Sequence, residues 1–311
     1  MSEKVYIGLD VGGTNLKLSL ITPAGEILTR LNRPSPIGGN DEIRRAFAEA
    51  VRAACEGKKV AGIGIGCAGV LSGDRRTVRA SPNLPGIEGF PICDFLEDEF
   101  GAKTFLENDA NAIALGEFWR GAGADARTLI VITLGTGVGT GFILDGRLWK
   151  GAHGMGAEGG HTVIDIKGPR CHCGNHGCLE AFVGAYAIVR RLNEKLAGGR
   201  KSRLGPGVEH TVEEIAAAAQ KGDGLAVEVL EETGSFLGVG LANFANLFNP
   251  EKIVITGGVS RSGKAILGPA EKEAKRRAFG AVTESLKVVP GQLGDDAGPL
   301  GAVYPLIEDR D

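Results

Sequence analysis

Apolar and polar positions along this chain switch regularly between two periods. Short apolar runs at Val5–Leu9, Lys17–Ile21, Val60–Ile65, Thr104–Leu106, Leu129–Thr133, Gly141–Leu144 and Lys252–Thr256 read as strands. Between them, Asp41–Glu56 repeats Ile43, Phe47, Ala50, Val51 and Ala54 at helical spacing and stops at Gly57. Ala110–Arg120, Leu179–Leu196, Val212–Lys221 and Leu225–Leu247 also read as helices. The alternation predicts an α/β fold, and no low-complexity linker interrupts it.

At 311 residues the chain has room for two domains of ordinary size. Hydrophobic content of 43% and charged content of 23% place it among folded globular proteins. A net charge of -3 gives no electrostatic footprint for nucleic acid, and no basic run suggests an anionic membrane surface. The N-terminus lacks the cationic and apolar pattern of a signal peptide, so a cytoplasmic location is expected. The longest uncharged stretch, Gly234–Pro250, carries Asn243, Asn246 and Asn249, and three amides argue for a buried helix over a membrane span.

Glycine, at 50 residues, is the compositional outlier, and much of it falls in turns after apolar runs. Tyr6–Thr14 is an apolar strand followed by Gly12, Gly13 and Thr14, then a return strand. Leu129–Gly139 has the same construction around Gly135, Thr136 and Gly137, although the two do not align at a constant offset. One such turn is simply a tight hairpin. A pair offers freed backbone N–H groups and Thr hydroxyls on two sides, as a polyphosphate requires. Asp10, just before the first turn, is placed to hold Mg²⁺ directly or through water. Two familiar nucleotide motifs fail in detail. Gly64-Ile65-Gly66-Cys67-Ala68-Gly69 is not followed by a helix pattern, and Gly258–Lys264 has Ala265 where a P-loop needs Ser or Thr. Gly257-Gly258 instead reads as a turn after a strand, approaching a nucleotide closely. Glu107-Asn108-Asp109 ends a strand and opens a helix, where a carboxylate is kept ionised by the helix dipole and also suits a proton acceptor.

Cys55, Cys67 and Cys93 are scattered in apolar surroundings and read as packed thiols. Cys171, Cys173 and Cys178 crowd one segment, with His161 ten residues upstream of the first. Three thiolates and one imidazole suit a closed, structural Zn²⁺ site, with His176 as the rival fourth ligand. In an extended C-x-C both sulfurs face one way and His172 the other.

Taken together, Asp10–Thr14, Glu107–Asn111, Leu134–Gly139, Glu158–His161, Cys171–Glu180 and Thr256–Ser260 resemble the ROK family, and within it bacterial glucokinases. The resemblance runs from Val5 to about Tyr304. It implies the two-domain, ribonuclease H-like fold of actin-like ATPases, with a zinc knot and with sugar and ATP meeting in a cleft between domains. The smaller domain is expected over 1–117 with 298–311, the larger over 118–297. By similarity Asp109 is the base that accepts the proton of the sugar 6-hydroxyl. Asn83, Asn108, Asp109, Glu158, His161 and Glu180 would bind the sugar. Asp10, Gly12, Gly13, Thr14, Lys17, Thr136, Gly137, Gly257 and Gly258 would serve the nucleotide and Mg²⁺. His161, Cys171, Cys173 and Cys178 would bind zinc, close in sequence to the sugar ligands and away from the nucleotide contacts. The activity implied is ATP-dependent phosphorylation of D-glucose by a homo-oligomer, most simply a dimer, with no nucleic acid or membrane partner. Kinases for N-acetylglucosamine, N-acetylmannosamine or fructose share nearly all these motifs. Sugar-responsive repressors of the family carry an extra helix-turn-helix, for which Val5 leaves no room. Cys67-Ala68-Gly69 lies where many members have Pro before the glycine, and Thr140 replaces a common glycine.

Overall fold

The computed structural model describes residues 4–308 except Ile37, Pro82 and Asn83. Asn83, expected among the sugar ligands, therefore lies outside the described residues. The chain separates into two compact units: residues 1–125, 141–156 and 292–311, and residues 126–140 and 157–291.

The first unit opens with strands β1 (Val5–Val11), β2 (Asn15–Ile21) and β3 (Ile27–Pro34), then helix α1 (Asn40–Cys55) and strand β4 (Val60–Cys67). The short pair β5 (Val70–Leu71) and β6 (Val78–Ala80) precedes α2 (Ile92–Phe100), β7 (Lys103–Asn108) and α3 (Asp109–Arg120). The first sheet has the order β3-β2-β1-β4-β7, antiparallel across β1, β2 and β3 and parallel from β1 to β7. Because side chains alternate along a strand, β1 serves two layers. Val5, Ile7 and Leu9 pack with Ile43, Phe47 and Val51 of α1, while Tyr6 joins a second cluster with Leu300 and Val303.

The second sheet, ordered β10-β9-β8-β11-β12, is built from β8 (Leu129–Leu134), β9 (Val138–Leu144), β10 (Arg147–Trp149), β11 (Lys252–Thr256) and β12 (Val288–Pro290). Helices α4 (Glu180–Val183), α5 (Ala185–Ala197), α6 (Val212–Gln220), α7 (Gly224–Phe248), α8 (Lys264–Arg277) and α9 (Gly280–Thr283) belong to the second unit. The uncharged stretch ending at Pro250 falls mostly in α7, whose buried face includes Leu230, Leu237 and Leu241 while Asn243 and Asn246 lie on the exposed side. Asn249 takes the left-handed C-cap.

One predicted helix is two. Leu179–Leu196 breaks at Gly184, which adopts extended backbone so that the Ala185 N–H donates to the Gly135 carbonyl at 2.9 Å. Helix α10 (Ala297–Ile307) was absent from the pattern, because Pro299, Pro305, Gly298 and Gly301 mask its period. Pro299 sits in the first turn, where no backbone donor is required. Gly301 lets the α10 and α3 backbones touch: a Cβ there would fall 1.7 Å from the Ala112 carbonyl oxygen.

Candidate functional site

In the first unit, the β1–β2 turn closes through the Gly12 N–H to the Asn15 carbonyl at 3.0 Å and leaves Gly13 and Thr14 exposed. Asp10 precedes this turn and faces Lys17 directly across the antiparallel pair. Burial lifts the Asp10 carboxyl to about 6, with Lys17 pulling it down and the charges of Asp109 and Asp295 pushing it up. Lys17 itself bonds Asp295 at 2.9 Å.

At the junction of β7 and α3, Asn108 is the N-cap, its side chain accepting from the backbone N–H groups of Ala110 and Asn111 at 3.0 and 3.2 Å. Asp109 is the first residue of the helix. Burial raises its carboxyl above the ordinary range, opposed by hydrogen bonds from backbone amides and Asn108. The cap expected in Glu107–Asn111 is Asn108, while the Asp109 carboxyl is raised by burial and not held down by the helix start.

Sequence reasoning missed what lies behind that junction. Glu107 is fully buried. It pairs with the Arg75 guanidinium, accepts from Asn111 Nδ2 at 3.0 Å and from the Asn108 N–H at 3.0 Å, and has Lys150 at 3.8 Å. Removing one partner of such a buried pair leaves an uncompensated charge, so the network fixes the strand end that carries Asn108 and Asp109. Its signal in the sequence was an acidic residue ending an otherwise apolar strand. Arg75 and Lys150, 32 and 43 residues away, were not recoverable from spacing.

In the second unit, the β8–β9 turn brings Gly135 and Thr136 to the edge of a cavity of about 740 Å³. Tyr186, Val189 and Arg190 of α5, His210 and Glu213, and Gly258 with Val259 also line it. Gly137 has no room for a side chain, since a Cβ would meet Glu180 Oε2 at 2.5 Å. That same oxygen accepts from the Val138 N–H at 3.0 Å. Thr140, noted as a departure, has a role: its hydroxyl donates to the Ala157 carbonyl and accepts from the Gly159 N–H at 2.8 Å, gripping the loop on both sides of exposed Glu158.

Among the described residues, His161, Cys171, Cys173 and Cys178 bring one ligand atom each to within 4.8 Å of one another; His176 is not in the group. Cys171 Sγ lies 3.7 Å from His161 Nδ1, and the sulfurs of Cys173 and Cys178 are 3.7 Å apart. Tetrahedral zinc, with Zn–S of about 2.3 Å and Zn–N of about 2.0–2.1 Å, needs ligand atoms roughly 3.5–3.8 Å apart, so the donor set fits. Binding through Nδ1 leaves Nε2 of His161 available to a hydroxyl. Glu180 follows at once, with Oε1 3.3 Å from Cys171 Sγ.

A family model described as the ROK family matches residues 6–309. The chain belongs to the ROK family. Among ROK relatives, it is 36% identical to the glucokinase of Thermotoga maritima over all of this chain and 99% of the relative. A solved ROK family glucokinase from Streptomyces griseus, in complex with glucose and AMPPNP, is 35% identical with a TM-score of 0.81, covering 96% of this chain and 97% of that one. A solved ROK family transcriptional regulator, a homologue of the Escherichia coli Mlc protein, is 29% identical with a TM-score of 0.89, covering 99% of this chain and 78% of the regulator.

Proposed function

We propose that this chain is an ATP-dependent glucokinase that transfers the γ-phosphoryl group to the 6-hydroxyl of D-glucose. The observation that carries the reading is Asp109: a carboxylate at a helix start, raised by burial and backed by the Glu107 network. Phosphoryl transfer asks a protein mainly for positioning and charge neutralisation, plus one group to take the nucleophile's proton. A carboxylate lifted by burial accepts that proton more readily than an exposed one. Asp109 is that base.

Asn83, Asn108, Glu158, His161 and Glu180 bind the sugar hydroxyls. Gly12, Gly13, Thr14, Lys17, Thr136, Gly137, Gly257 and Gly258 take the nucleotide. The cavity beside Thr136 and Gly258 receives the nucleoside, its volume lying in the range of about 300–1,000 Å³ usual for ligand sites. Asp10, an acid held near pH 6 by burial, suits Mg²⁺, which neutralises phosphate charge when bound. His161, Cys171, Cys173 and Cys178 hold a structural Zn²⁺, whose four closed ligands leave no place for a reacting water. The enzyme works as a cytoplasmic homo-oligomer, most simply a dimer, with residues 1–117 and 298–311 as one functional domain and 118–297 as the other.

The test is Asp109→Asn. Its kcat should fall at least about 100-fold, general-base contributions being typically 10²–10⁴, while glucose affinity changes far less. Near-normal turnover would remove the assignment. A sugar-responsive regulator is the second reading, favoured by the TM-score of 0.89 to the Mlc homologue. A regulator has no need of a proton acceptor, so glucose-dependent ADP release separates the two.

A further inference from the structure

The metal cluster and the nucleotide cavity share a wall. His172 stands between two of the cysteines, and its ring stacks on Tyr186 with centroids 4.0 Å apart and planes inclined by 20°. Tyr186 lines the cavity together with Gly135 and Thr136. Its hydroxyl is buried and lies beside the Cys171 thiol, one of the cluster's own ligand groups. A second route runs alongside. Glu180, two residues after Cys178, accepts from the Val138 N–H, and Ala185 donates to the Gly135 carbonyl. The turn at 135–138 is thus tied at both ends to the segment that leaves the metal cluster.

We propose that the metal cluster sets the nucleotide site as well as the sugar site, with His172 and Tyr186 as the positioning residues that carry the effect. The inference rests on the reading of the 740 Å³ cavity as the nucleoside site. It reverses the expectation that the nucleotide contacts lie away from the cysteines. The segment is a turn and not the extended C-x-C expected from the sequence: the Gly174 N–H donates to the Cys171 carbonyl at 3.0 Å, and ligation of Cys171 and Cys173 pins His172 between them. The pinned ring then gives Tyr186 a fixed face to pack on. Once the stack is lost, the nucleotide must order Tyr186 as it binds, and an aromatic pair of this kind corresponds to roughly a three- to tenfold change in affinity.

The experiment measures the Kd of Mg²⁺–AMPPNP and of glucose by calorimetry, with bound zinc counted by mass spectrometry, on the zinc-loaded full chain and three variants. Val189→Trp fills the cavity and should weaken AMPPNP by at least about tenfold. His172→Ala should keep its zinc and bind glucose normally, yet bind AMPPNP about three- to tenfold more weakly. His172→Phe, which preserves the stack, should restore the affinity. Wild-type AMPPNP affinity in zinc-loaded His172→Ala overturns the coupling while the cavity reading stands. Unchanged affinity in Val189→Trp overturns the cavity reading and the coupling with it. Should His172→Ala release its metal, wild type stripped by a chelator decides: weakened AMPPNP binding there supports the proposal, and unchanged binding overturns it.

Discussion

Replacing Asp10 by Asn should stabilise the fold and cripple the enzyme at the same time. Burial raises the Asp10 carboxyl from 3.8 to about 6. At about 1.36 kcal/mol per pKa unit, that displacement means the folded state holds an ionised Asp10 at a cost of about 3 kcal/mol. The sign follows from the direction of the shift. Above pH 6 the carboxylate is ionised in both folded and unfolded chains, so the full penalty is present. Between 6 and 3.8 it shrinks, and below 3.8 the carboxyl is neutral in both states and the penalty is gone. Asn has nearly the same shape and no charge to desolvate. Allowing for imperfect replacement, Asp10→Asn should gain about 1–3 kcal/mol at pH 8, or several degrees in Tm, and well under about 1 kcal/mol at pH 4. Differential scanning calorimetry of the ligand-free protein at both pH values measures this, and turnover with MgATP should fall steeply in the same variant. A lower Tm at pH 8, or a gain equal at the two pH values, would refute the assignment of Asp10 as a carboxylate kept in an unfavourable place for its ligand.

Two further outcomes are expected. Gly301→Ala should destabilise the first unit by about 3 kcal/mol or more, since the new Cβ meets the Ala112 carbonyl oxygen at 1.7 Å and backbone must move; urea denaturation reads this directly. Cys173→Ser should release zinc and raise the KM for glucose by at least about tenfold, because His161 and Glu180 lose their anchor. A metal-free variant with an unchanged glucose KM would return the cluster to a purely structural role.

The parts of the fold that were legible in the sequence are continuous apolar runs bounded by turns and helices with a regular period. The β1–β2 and β8–β9 hairpins read as apolar runs joined by Gly/Thr turns, α1 shows its period openly, and the Cys171-x-Cys173 spacing pointed to the Cys/His cluster that the structure brings together. The structure places His161 in the cluster and leaves His176 out, although His176 is the nearer to a cysteine in sequence. Helix α10 was hidden by its prolines and glycines, of which Gly301 is required by the backbone contact with α3. The Arg75–Glu107–Lys150 network and the His172–Tyr186 stack join residues far apart in the chain or on different elements, and local pattern carries no record of such pairs. Thr140 looked like a lost glycine until its hydroxyl was seen holding the Glu158 loop.

Phosphorylation of the 6-hydroxyl of glucose by ATP can be measured directly. Initial rates of ADP formation by the purified protein should be measured against D-glucose, 6-deoxyglucose, N-acetylglucosamine, N-acetylmannosamine and fructose. D-glucose should have the highest kcat/KM, with glucose 6-phosphate as product, and 6-deoxyglucose should support no sugar-dependent turnover, because it has no 6-hydroxyl to accept the phosphoryl group. A tenfold preference for another of these sugars would overturn the choice of glucose, and no sugar-dependent ADP formation with any of them would contradict the account itself.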